Sequence, residues 1–135
     1  MNTRLMMSTS ALFLGALGLT ATFMPQELLG SIGIEASPFP VLMVQLLGAA
    51  WAGFAILNWM ARGNLIGGVY SKPVAMGNMA YFLIAGIALA KVALKAPSIG
   101  LVEIALVGLH LLFAGLFAYT AFTHPNLQKR EKARA

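Results

Sequence analysis

The chain has 135 residues, of which 59% are hydrophobic and only 10% charged, with a formal net charge of +5 and no cysteine. An ordinary soluble domain carries about 25% charged residues, so this composition argues against a water-exposed globule. The lack of any thiol excludes disulfides, thiolate metal sites, iron–sulfur clusters and dithiol redox chemistry. The positive balance is concentrated at the end, where Lys129, Arg130, Lys132 and Arg134 are interrupted only by Glu131. A basic run just after a membrane helix suits an anionic leaflet, at ~1 kcal/mol per basic residue. Membrane lipids, and not nucleic acid, are the expected partners.

The apolar residues fall into four blocks, each near the ~20 residues that a helix needs to cross ~30 Å of hydrocarbon. The first covers residues 5–24. Arg4 and the apolar run 11–19 have the form of a signal peptide, but the run continues to Met24 and is read as a retained first span. Pro25 ends it, since proline cannot continue the hydrogen-bond ladder. In residues 26–40, Leu28, Leu29, Ile32 and Ile34 suggest a short interfacial helix beside Glu27 and Glu35. The second span covers residues 41–61 and the polar turn RGNLIGGVYSKP follows it. The third span covers residues 74–94, and Lys95, Ala96, Pro97 and Ser98 make a tight hairpin. The fourth covers residues 99–122, with a basic tail at 125–135 after His124 and Pro125. Short connections force sequential spans antiparallel, so the expected fold is a single all-α, four-helix up-down transmembrane bundle.

Arg4, Arg62, Lys72 and the tail fall on one side of such a bundle, with Lys91 and Lys95 opposite. This bias places both termini in the cytoplasm. Gly15, Gly18, Gly48, Ala49, Ala52, Gly53, Gly108 and Gly115 permit close helix approach, with Ala49-x-x-x-Gly53 as a small-xxx-small pattern.

Polar groups within the spans are expensive unless paired. Gln45, Lys91, Lys95 and Glu103 lie toward the outer side, His110 at mid-span, and Asn58, Arg62 and Asn78 toward the cytoplasm. Glu103 and His110 are seven residues apart, sharing a face ~10 Å apart along the axis. They form a candidate ligand or proton pathway with Gln45 and Lys91, and the bland alternative is a Glu103 ion pair with Lys91 or Lys95. His110 alone could carry a proton or hydrogen-bond Gln45 or Asn78; no zinc or haem ligand set accompanies it. Asn58 with Asn78 would bridge spans two and three. In the turn, Arg62, Tyr70 and Lys72 could hold a phosphate at headgroup level, although the Walker spacing is missing. The alternative there is a plain helical hairpin with an interfacial tyrosine.

The stretch 45–78, with LLGAAWAGFAILNWMARGNLIGGVYSKPVAMGN at its centre, resembles an uncharacterised group of small bacterial four-span proteins, DoxX-like in layout. The resemblance implies a four-helix bundle in a bacterial inner membrane and carries no catalytic residue or cofactor across. Small multidrug transporters depend on a carboxylate in the first span, and residues 5–24 hold none. The leading expectation is a non-enzymatic membrane protein that binds lipid or serves as an accessory or scaffold subunit. The first alternative is a small oligomeric transporter or channel using Glu103, His110 and Gln45. The second is a quinone-linked membrane oxidoreductase component, with Trp51, Trp59, Phe82 and Phe113 lining an apolar slot, although aromatics at helical spacing more often serve packing.

Overall fold

The computed structural model describes residues 2–64, 71–96 and 99–123. These are helical throughout their long segments, in the order α1 Thr3–Phe23, α2 Pro25–Ser31, α3 Pro38–Ala61, α4 Lys72–Ala93 and α5 Leu101–Phe122. Four of them, α1, α3, α4 and α5, are long and apolar enough to cross a membrane. The protein is therefore an all-α membrane protein with four candidate spans. The basic tail, His124 and Tyr70 lie outside the described residues.

Local chemistry sets the boundaries. Asn2 caps α1, its side chain accepting from the Leu5 amide at 3.2 Å. Pro25 stops α1 and opens α2, where its missing N–H costs nothing. A short helix therefore stands where an interfacial one is expected, with Leu29 buried and with Ile32 and Ile34 beyond its last turn and exposed. It ends in a Schellman turn. The Ile34 amide donates to Leu29 O at 2.9 Å and the Gly33 amide to Gly30 O at 3.1 Å, with Gly33 at φ +72°, a conformation glycine adopts without penalty. The second span begins three residues earlier than expected, because Pro38 and Pro40 both fit a helix's first turn. Lys72 and Pro73 likewise open α4 in place of closing the preceding turn.

The chain divides into two units, residues 1–63 and 64–135. In the first, α1 and α3 run antiparallel at backbone contact. A Cβ added to Gly18 would lie 2.8 Å from Ala52 N and 3.0 Å from Gly48 O. One added to Gly48 would lie 2.8 Å from Thr22 N. The small-residue contact is therefore Gly48-x-x-x-Ala52. The expected Ala49-x-x-x-Gly53 pair is exposed, and nothing lies within 4 Å of a Cβ at Gly53. One residue of offset rotates the stripe by ~100° about the helix axis. Met6, Met7, Ala11 and Leu14 extend the buried face of α1.

In the second unit, α4 and α5 also run antiparallel. Ala75, Asn78, Phe82 and Gly86 form the buried stripe of α4, facing His110, Phe113, Ala114 and Phe117 of α5. Phe82 stacks on Phe113 at 5.0 Å and on Phe117 at 5.8 Å between ring centroids. The obstacle to a Cβ at Gly86 is the end of the Leu111 side chain, at 2.9 Å, and not backbone.

The glycine contacts make a differential prediction. Gly18→Ala or Gly48→Ala forces α1 and α3 apart and destabilises by about 1–3 kcal/mol, read as a lower thermal midpoint in detergent. Gly53→Ala is neutral or mildly stabilising, because a helix-interior glycine gives way to a better helix former in open space.

Candidate functional site

Polar side chains buried in the spans are the places where this protein could do chemistry, and each hairpin holds a set. In the first, Ser10 and Asn58 are both fully buried. Asn58 Nδ2 donates to Ser10 Oγ at 3.1 Å, and Ser10 Oγ donates to Met7 O at 3.0 Å. The hydroxyl thereby uses its proton and one lone pair, tying α3 to α1.

In the second hairpin, His110 is 2% exposed. Its Nδ1 lies 2.8 Å from Leu106 O one turn back. A carbonyl only accepts, so Nδ1 carries a proton and the neutral ring presents Nε2 as acceptor. The Tyr81 hydroxyl lies 3.4 Å from Nε2 and supplies the hydrogen. That is long for such a bond. Phe82 closes the other side of the imidazole, edge-on at 5.6 Å between centroids. One turn below Tyr81, Asn78 Nδ2 donates to Val74 O at 2.9 Å. The arrangement can pass one proton between Tyr81 and His110. Passage through the ring would require Nδ1 to surrender its proton while held against a carbonyl, which is a poor base.

Within the second hairpin the other pathway candidates do not join His110. Glu103, Lys91 and Lys95 are exposed, and among the described residues none of them makes an ion pair. Glu103 is the third residue of α5, and its carboxylate folds back over Gly100, the helix N-cap. A carboxylate in the first turn is stabilised by the helix dipole, so the start of α5 accounts for its place. Gln45 is exposed on α3 of the first hairpin.

Of the proposed headgroup set, Lys72 is the exposed first residue of α4. Arg62 is half-buried at the C-cap of α3. Its Nη1 donates to Trp59 O at 2.7 Å, and its guanidinium carbon sits 3.7 Å over the Trp59 ring. Of the four aromatics proposed for an apolar slot, Phe82 and Phe113 pack between α4 and α5, and Trp59 carries Arg62. Trp51 Nε1 is buried and has no hydrogen-bond partner among the described residues.

Sequence reasoning missed Ser10, Tyr81 as the partner of His110, and Trp59 as the platform for Arg62. Only the last had a local signal, an arginine three residues after a tryptophan at a helix end. Ser10 with Asn58 and Tyr81 with His110 are separated by 48 and 29 residues, and no periodicity joins them.

If the Tyr81–His110 contact serves packing, Tyr81→Phe costs about 0.6–1.7 kcal/mol, the range for hydrogen bonds between membrane helices. Thermal unfolding in detergent reads the loss, with helical content unchanged. No protein-family profile, curated protein or solved structure matches this chain.

Proposed function

We propose that this chain is a bacterial inner-membrane protein, both termini cytoplasmic, that binds lipid or acts as an accessory subunit of a larger membrane assembly. It performs no chemistry of its own on this reading. The observation that carries it is how the buried polar side chains are engaged. Among the described residues, Ser10, Asn58, Asn78, His110 and Thr120 each hydrogen-bond within their own hairpin. A polar interior engaged in this way holds helices together. It leaves the exposed apolar faces, such as Leu12, Ile56, Ile84 and Leu112, to meet lipid or protein.

A second reading, a small oligomeric transporter or channel, is favoured by His110, an ionisable group 2% exposed at mid-span.

The two separate in nanodiscs. The accessory reading expects native mass spectrometry of the intact particle to find tightly held lipid or one fixed protein partner. It also expects Glu103→Gln and His110→Gln to leave that retention unchanged. A pH-dependent flux through reconstituted protein, abolished by either substitution in a folded variant, overturns it.

A further inference from the structure

The first hairpin is electrically lopsided. Its charged residues are Arg4, Glu27, Glu35 and Arg62. Because α1 and α3 are antiparallel, Arg4 at the start of α1 and Arg62 at the end of α3 share one end. Glu27 in α2 and Glu35 just before α3 share the other. The 24 residues of α3 put about 36 Å between Arg62 and those acids. Two cations therefore sit at one end with no carboxylate of their own hairpin to balance them.

Arg62 is held in a defined pose. With Nη1 bonded to Trp59 O and the guanidinium over the indole face, its plane is fixed and much of its rotamer freedom is already lost. An arginine has five N–H donors. Trp59 O takes one of them, and among the described residues Arg62 makes no ion pair. Trp59 is 45% exposed at the end of a span, the depth at which tryptophan meets the headgroup layer. The group abundant at that depth that offers two oxygen acceptors and a negative charge is a phospholipid phosphate, which a guanidinium fork grips bidentately.

We propose that Arg62, oriented by Trp59, binds the phosphate of an anionic phospholipid headgroup, with Arg4 adding positive charge at the same end. The site rests on the lipid-binding reading above and names its ligand. It replaces the looser cluster of Arg62, Tyr70 and Lys72 with a pair whose geometry is set by one helix end. An arginine that merely capped α3 would serve equally well as lysine, and this gives the test its discrimination.

The full chain in nanodiscs of equal phosphatidylglycerol and phosphatidylcholine is released for native mass spectrometry, and the amount per protein and the ratio of retained lipids are read. The wild type retains phosphatidylglycerol several-fold over phosphatidylcholine. Arg62→Lys, which keeps the charge but loses the planar fork, lowers the amount of phosphatidylglycerol retained per protein several-fold. Trp59→Leu, which removes the platform and keeps the arginine, does the same, and either variant with native helical content reads the site. Selective retention that survives both substitutions overturns the site while leaving the lipid-binding reading standing. A wild type that retains phospholipid without preference also overturns the site. A wild type that retains neither lipid nor protein overturns both. Inorganic phosphate added to the detergent-solubilised complex separates the sources. Lipid that stays bound at millimolar phosphate supports the headgroup, and displacement in the wild type overturns the lipid assignment in favour of a soluble phosphate.

Discussion

Hydrocarbon offers no hydrogen-bond partner, and the interior of this protein is arranged around that constraint. Hydroxyls fold back onto the preceding turn: Thr9 onto Leu5 O, Thr20 onto Ala16 O, Thr120 onto Phe117 O. Longer polar side chains do the same first and only then reach across. His110 binds Leu106 O, and that bond selects the tautomer that lets Nε2 accept from Tyr81. Ser10 binds Met7 O, and the lone pairs left over receive Asn58. Contact between helices is thus made with what remains after each helix has satisfied its own groups. Such residues register one helix on another more than they drive association, consistent with the modest energies of hydrogen bonds in bilayers.

Association must then come from packing, since lipid tails are as apolar as the side chains they would release. The two hairpins solve this differently. In the first, Gly18 and Gly48 remove side-chain volume so that the backbones of α1 and α3 touch, and the contact tolerates no added carbon. In the second, the gap between α4 and α5 is filled by Phe82, Phe113 and Phe117, stacked with ring planes 29° and 12° apart. Only Gly86 allows a closer approach, beside His110 and the flexible end of Leu111. Glycine contact is unforgiving but cheap in side-chain entropy. An aromatic stack gains more dispersion and can adjust by rotamer shifts.

The existence, number and type of the spans were legible in the sequence, because a run of ~20 apolar residues has one solution in a bilayer. Their starts were less so. Pro38, Pro40 and Pro73 fall in the connections by composition, whereas in the fold each sits in the first turn of a helix. The site was legible only by residue type. Composition reveals small residues along span two, Gly48, Ala49, Ala52 and Gly53 alike, but not which stripe faces α1. Glu103 stood out as a charge in an apolar block, yet its meaning depends on being three residues after the Gly100 cap, a boundary the sequence blurred by two residues. The partners of His110 and Asn58 lie on other helices, and a single sequence contains no information about which helix face meets which.

Where charges are satisfied separates structural groups from those free to choose a partner. Glu103 lies in the first turn of α5, where the exposed backbone amides already favour a carboxylate, so its charge is answered by its own helix. Arg62 is the mirror case at a C-terminus, but the answer is incomplete. One carbonyl and an aromatic face orient the guanidinium, and that carbonyl takes one of its five donors. Within the hairpin the compensating carboxylates are a full span away, so the charge must be met from outside, by solvent or by an anion at the surface. A bilayer whose headgroups present phosphate at that depth supplies such an anion continuously. The rigid stack then favours the headgroups whose oxygens match its fork over a diffuse counter-ion cloud.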